Sequence, residues 1–263
     1  MSDLKRSIAI NTASNYVALA VRILSSLVVT SLLVSGLDLE EFGFWGVLMS
    51  IFGYTLTMDL GFGVAAQKYA ASARADKNWT HFSHLISTIF YSYFFLGLLL
   101  ATGLFFGRDY ILQAFFELKH ADETGKYIAV ITVYGMGTAA GFPLAFFAEI
   151  LRGIERIALL NSLRILNQFM TVGGLLWATQ QGYSLYGFIW TLTISSTLSN
   201  LFIAMACFRY IPGLRLWPRY FSFQHLREVT SFSLYAYVIM CANLIIFKTD
   251  VVVISSLLTT AAA

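Results

Sequence analysis

Charge is what this chain has least of. Only 12% of its 263 residues are Asp, Glu, Lys or Arg, against about 25% in a soluble domain. Hydrophobic residues make up 58% and the mean hydropathy is +0.71, so a bilayer is the indicated solvent. The first apolar run lacks the short core and small-residue cleavage site of a removed signal peptide. Cys207 and Cys241 both lie in apolar runs without a CxxC partner and read as free core thiols, neither a disulfide framework nor a metal site. The four histidines, His81, His84, His120 and His225, stand in or beside loops and form no HExxH. No Walker A sequence and no GxSxG is present. These gaps leave no enzyme constellation, no cofactor and no metal to expect. Nor is nucleic-acid binding needed to explain the basic segment at 209–227.

What the chain has in excess is apolar length. Seven runs, at 8–34, 42–66, 82–106, 127–151, 157–180, 183–208 and 229–258, are each long enough to cross about 30 Å of hydrocarbon as a helix. None alternates like a barrel strand, so the expected class is an all-α polytopic membrane protein. Pro143, in "GMGTAAGFPLAFF", is expected to kink the fourth helix, and Gly137 and Gly141 form a GxxxG suited to close packing. With the N-terminus inside, eleven Lys and Arg residues fall in cytoplasmic segments, among them Arg6, Lys68, Arg74, Arg152 and Arg156. Only Arg108, Lys119 and Lys126 fall outside, a positive-inside bias that predicts a cytoplasmic N-terminus. The longest loops, 107–126 and 209–228, are too short for a soluble catalytic domain, so any function is built from the helices. In "LRLWPRYFSFQHLRE", Ser222 is placed to cap a short helix with Phe223 and Leu226 on one face. That segment reads either as an interfacial helix facing anionic lipid or as a plain connector.

Three basic residues, Arg22, Arg164 and Lys248, lie inside spans. A central Arg or Lys costs about 2.5–3.5 kcal/mol on insertion scales, and each Leu, Ile, Phe or Val returns only about 0.3–0.6. The fifth span also carries Asn161, Asn167 and Gln168, so it is expected to need a protein partner or a watery cavity. Helical spacing puts Asn11, Asn15, Arg22 and Ser25 on one face of the first span. Asn161, Arg164, Gln168 and Thr171 share a face of the fifth, and Thr193, Ser196 and Asn200 a face of the sixth. Lys248 and Asp250 are two apart, about 200° around a helix, so they are not a same-helix ion pair.

Each of these residues also has a plain structural use. Arg164 and Lys248 are close enough to an interface to snorkel, Arg22 can serve a structural pairing, and Asp59, in "TMDLGFG", can organise a turn with Gly61 and Gly63. Taken together, cations and amides with few acids suit an anionic substrate. The candidate substrate-binding residues are Arg22, Arg164, Lys248, Asn161, Gln168 and Asn15. Asp250 and Asp59 are the candidates for ion coupling, since an intramembrane carboxylate is a natural relay.

Three segments carry a family resemblance. "LEEFGFWGVLMSIFGYTLTMDLGFGVAAQKYAA" (39–71) resembles the second-helix region of Wzx-type polysaccharide flippases of the multidrug/oligosaccharidyl-lipid/polysaccharide exporter (MOP) superfamily. The matching positions are Glu40, Glu41, Gly43, Trp45, Asp59, Leu60, Gly61 and Lys68, the last in a basic loop. "EILRGIERIALLNSLRILNQF" (149–169) is similar to the fourth-to-fifth helix connection, and "FKTDVVVISSLL" to the start of the second half. The resemblance implies a MATE-like bundle of two six-helix lobes around a central cavity with alternating access. It implies a six-helix N-terminal lobe at 1–208, a cytoplasmic amphipathic connector at 209–228 and the first helix of a second lobe at 229–263. On that comparison the chain reads as a truncation or an incomplete gene. The implied function is flipping of a polyprenyl-pyrophosphate-linked oligosaccharide across a bacterial or archaeal cytoplasmic membrane. Membrane lipids, a coupling H+ or Na+ and polysaccharide assembly proteins are the implied partners. A MATE-type multidrug/cation antiporter, whose cavity should favour acids, and a non-transporting scaffold of an assembly complex are the alternatives.

Overall fold

Hydrocarbon offers no hydrogen bonds, so an apolar run must satisfy its backbone within its own helix. The computed structural model describes residues 2–53, 61–115 and 124–257, with side chains described except at 2–4, 7, 51, 53, 114–115, 240–241 and 243–257. Among these residues the chain forms nine α-helices: α1 (Ser2–Gly36), α2 (Leu39–Gly53), α3 (Phe62–Asp76), α4 (Trp79–Phe115), α5 (Thr124–Ala145), α6 (Phe147–Gly153), α7 (Ile157–Gln180), α8 (Leu185–Tyr210) and α9 (Phe223–Leu257). No strand occurs among them. The all-α polytopic class expected from the sequence is what is found. Side-chain caps set the starts of α2 and α4. Asp38 Oδ1 accepts from the Glu41 N–H at 2.8 Å ahead of α2, and Asn78 Oδ1 from the His81 N–H at 3.2 Å ahead of α4.

Two spans differ from the sequence reading. In the second, α3 runs on to Asp76, so Lys68 and Arg74 stand on a helix rather than in a basic loop. The fourth is α5 plus α6. Pro143 withholds the N–H that the Ala139 carbonyl would receive, and α4 closes on that carbonyl: a Cβ at Gly97 would stand 2.7 Å from its oxygen. The helix breaks three residues later, at Phe146, which stacks on Tyr93 with ring centroids 5.6 Å apart. Gly137 lets α5 touch α8, since a Cβ there would lie 2.2 Å from Thr193 Cγ2, whereas Gly141 makes only an ordinary contact with Asn200. Ser222 does cap a helix, accepting from the Gln224 N–H at 3.2 Å. That helix is not a separate short one, however; it is the start of the 35-residue α9.

Among the described residues, four helical stretches are long and apolar enough to cross a membrane: Ile8–Gly36, Trp79–Gln113, Thr124–Gly153 and Leu185–Tyr210. The 24-residue α7 has the length but not the composition, because Asn161, Arg164, Asn167 and Gln168 interrupt it. Two apolar cores hold the bundle. One, at the end rich in Lys and Arg, gathers Phe62, Phe82, Phe147, Ile150, Cys207 and Val229. The other, at the Lys126 end, gathers Leu48, Phe52, Tyr127, Ile131, Leu175 and Phe188. There the buried Glu41 carboxylate pairs with Lys126, tying the start of α2 to that of α5. Cys207 is a free buried thiol that donates to the Phe147 carbonyl at 3.3 Å.

Polar contacts set how α1 and α9 dock. On α7 the buried Asn161 amide donates to Asn15 Oδ1 at 2.7 Å and to Ser14 Oγ at 3.0 Å, while Asn11 Oδ1 accepts from the Ala158 N–H at 3.2 Å. At the basic end, α9 packs on α3 and α4. Lys68 Nζ sits 3.9 Å from the centroid of the Phe232 ring, and Gly61 (φ 76) takes a left-handed turn under Ser233. His225 meets His81 and His84 with ring centroids 5.7 Å apart in both cases, and His84 stacks on Tyr220 at 4.1 Å. The segment between α8 and α9 lies along α4, where Ser87 Oγ donates to the Arg215 carbonyl at 3.1 Å and Thr88 Oγ1 accepts from the Ser222 N–H at 3.4 Å.

Two stability outcomes follow from these contacts. Asn161→Ala removes two inter-helix bonds from a site 5% exposed. It is expected to cost about 1–3 kcal/mol, read as a lower thermal midpoint in detergent. Burial, with His81 and His84 beside it, lowers the His225 pKa from its ordinary value. The folded protein therefore resists a proton that the unfolded chain accepts at about pH 6.5, so stability present above that value is lost as the pH falls below it. Unfolding at pH 7.5 and pH 5.5 should show a smaller acid loss for His225→Gln than for the wild type.

Candidate functional site

The facing polar stripes of α1 and α7 do not close completely. Beyond the Asn161 clamp they part around a cavity of ≈ 670 Å³. Asn15 and Arg22 reach it from α1, and Asn161, Arg164, Asn167 and Gln168 from α7. Five of the residues singled out from spacing, Asn15, Arg22, Asn161, Arg164 and Gln168, thus stand around one void. Within it Asn161 has a structural duty as well, since its amide is committed to Ser14 and Asn15. The side chains of Lys248 and Asp250, on the far half of α9, lie outside those described, and Asp59 lies outside the described residues.

The remaining cation, Arg152, comes from α6 and was not singled out by spacing; positive-inside counting places it in a cytoplasmic segment. A tight reversal brings it to the void. After Gly153 the Arg156 N–H bonds back to the Leu151 carbonyl at 2.8 Å and the Glu155 N–H to the Arg152 carbonyl at 2.9 Å. This is the paired closure of a Schellman motif, with Glu155 in the left-handed position usually held by glycine. Glu155 has φ 60, and Arg74 from α3 holds it there by a 2.6 Å ion pair and a 2.8 Å bond to the Ile154 carbonyl. The signal in the sequence was the spacing of Glu149 and Arg152, one helical turn apart, which marks an ion pair rather than a free loop arginine.

Electrostatically the site is one-sided. Arg152 pairs with Glu149, which does not line the void. Among the described residues, neither Arg22 nor Arg164 has an ion-pair partner and no carboxylate lines the cavity. At an effective dielectric near 20, an anionic charge 4 Å from one guanidinium gains about 4 kcal/mol. The amides around the arginines can donate to and accept from hydroxyls, and Asn167 Oδ1 is buried without a partner.

Other members of the predicted polar faces are used elsewhere. Thr171 turns toward α8, where its Oγ1 lies 2.9 Å from Ser195 Oγ. Thr193 packs on Gly137 of α5, and Ser196 bonds back to the Thr193 carbonyl at 3.1 Å. Helical spacing places side chains on a face, but a face about 100° wide meets more than one neighbour. Among the described residues no group of three His, Cys, Asp or Glu side chains is arranged to hold a metal ion.

Comparison with known proteins agrees with this architecture. The chain is similar to MATE in complex with MaD3S, at 17% identity and a TM-score of 0.75, covering 95% of this chain and 57% of that one. It is similar to an outward-facing multidrug resistance MATE family transporter of the MOP superfamily, at 16% identity and TM-score 0.71 over 89% of this chain and 53% of that one. It also resembles a MOP superfamily transporter from Pyrococcus furiosus whose binding pocket is described as having reverse polarity, at 16% identity and TM-score 0.72 over 89% of this chain and 52% of that one. The chain spans slightly more than half the length of these transporters. No curated protein matches it. The family model for polysaccharide biosynthesis proteins matches residues 5–263. With its MOP-like helical fold and multi-pass arrangement, the chain belongs to the polysaccharide biosynthesis protein family.

Proposed function

We propose that this protein acts in flipping a lipid-linked oligosaccharide from the cytoplasmic to the outer leaflet by alternating access, with the pyrophosphate of a polyprenyl carrier drawn to the arginines of its cavity. The observation that carries this reading is the sign of the void. Arg22, Arg152 and Arg164 surround it with four amides and, among the described lining residues, no acid. An anionic linkage offsets the cost of holding these guanidinia at membrane depth, and a cationic substrate adds to it. The amides suit glycan hydroxyls, and ≈ 670 Å³ falls within the usual range for ligand sites. The prenyl chain stays in lipid.

Lys248 would add a further cation from α9, read here as the first helix of a second lobe joined through residues 209–228 to the lobe at 1–208. Asp250 and Asp59 are the carboxylates for a coupling proton or sodium ion. The proposed setting is a bacterial or archaeal cytoplasmic membrane with the N-terminus inside, consistent with the Lys and Arg bias. Assembly enzymes for the polysaccharide are the natural partners. A multidrug/cation antiporter, the alternative suggested by likeness to a multidrug resistance transporter, calls for acids, and the described residues lining this cavity include none.

In cells whose polysaccharide export depends on this protein, Arg22→Ala is expected to cut surface polysaccharide by about tenfold or more, equivalent to about 1.4 kcal/mol. Membrane insertion should be unchanged, as read by immunoblotting of membranes. Normal surface polysaccharide with normal protein levels would refute the role assigned to the cavity.

A further inference from the structure

Three guanidinia around one void repel one another, and among the described residues one carboxylate pairs with any of them. Glu149 stands on α6 one turn before Arg152 and ion-pairs with it, Oε1 to Nη1. The side chains are 24% and 34% exposed, so both charges are partly withdrawn from water. Arg152 lines the cavity and Glu149 does not. Arg22 and Arg164 line the same void as Arg152. No other carboxylate among the described residues pairs with a cavity arginine. The remaining groups brought to α6 are already engaged: Arg74 of α3 with Glu155 and the Ile154 carbonyl, and Cys207 of α8 with the Phe147 carbonyl.

An anion entering the void meets Arg152 with its charge already answered. It must share that guanidinium or take it. If it takes it, Glu149 loses its partner while it remains partly buried, and such a carboxylate binds a proton more readily.

We propose that Glu149 is the resident counter-anion of the cavity, holding Arg152 until a phosphate-type anion takes that guanidinium, whereupon Glu149 picks up a proton from the aqueous phase. The inference rests on the anion-binding reading of the cavity and deepens it: it adds, beside Asp59 and Asp250, a carboxylate whose protonation accompanies anion binding. No covalent bond changes. One carboxylate becomes a carboxylic acid, and one proton leaves solution for each anion bound. By linkage, binding that takes up a proton tightens as the pH falls.

The test uses sulfate, a dianion that does not itself titrate near neutrality, with the purified full chain in detergent. Calorimetric titration in two buffers of different ionisation enthalpy counts the protons taken up per sulfate bound. The wild type should take up as much as about one proton per sulfate, with Kd falling by up to about tenfold per pH unit of acidification. Glu149→Gln should bind sulfate several-fold more tightly near neutral pH, with no proton uptake and a flat pH profile. Arg164→Ala should lose at least about tenfold in affinity, about 1.4 kcal/mol. If Arg164→Ala loses affinity but Glu149→Gln keeps the wild-type proton uptake, the anion cavity stands and the role of Glu149 falls. Wild-type binding with no proton uptake overturns the role of Glu149 without reference to any variant. Absence of sulfate binding in all three proteins overturns the cavity reading and this proposal together.

Discussion

The pair of bonds from the Asn161 amide to Ser14 and Asn15 is the contact on which the rest of the site depends. In a hydrocarbon setting a polar stripe on α7 has two outcomes: it meets another polar stripe, or its helix does not insert. Asn161 satisfies itself on α1, fixing the register between the two helices and their distance near the basic end. Once that register is set, Arg22 and Arg164 are brought to the same void, because each lies about one or two turns further along its own helix. The void exists because the stripes are bonded at one level and charged with the same sign at the next. Two guanidinia do not close on each other as an amide and a hydroxyl do.

The α6–α7 reversal adds the third charge by a different route. Pro143 and the stacked aromatics at Phe146 end α5 early, leaving a seven-residue helix that turns back within one Schellman closure. Holding Glu155 at positive φ costs backbone strain, which glycine would not incur. The ion pair and carbonyl bond from Arg74 offset it. Arg74, a residue on α3 that does not line the void, thereby helps to aim Arg152. The same turn keeps Glu149 one step behind it.

Much of this was legible in the sequence, for reasons that can be located. Asn15 and Arg22 are seven apart, and Asn161, Arg164 and Gln168 follow a 3–4 step, so helix geometry alone puts each set on one face. The insertion cost of two arginines argues that those faces meet something polar. Arg152 was not legible as a cavity residue, because a loop arginine and a helix-end arginine that turns inward look alike in positive-inside counting. That Thr171 bonds to Ser195 and Thr193 packs on Gly137 was not legible, since a wide polar face cannot say which neighbour each of its members will touch. The break of the fourth span near Pro143 was legible, but not its position, which the packing of Phe146 on Tyr93 sets.

By itself, then, the sequence determined the solvent, the helical class, the number of apolar runs and the stripes that cannot face lipid. Those are consequences of composition and of a 3.6-residue period, and they need no knowledge of neighbours. Only the tertiary structure decided which stripe faces which, that α1 and α7 bond at one level and part at the next, and that the arginine paired with a carboxylate on α6 joins two others around one void. Such facts depend on the relative rotation and register of whole helices. These are set by a few long-range contacts, Asn161 to Asn15 across 146 positions and Arg74 to Ile154 across 80, which no local pattern encodes.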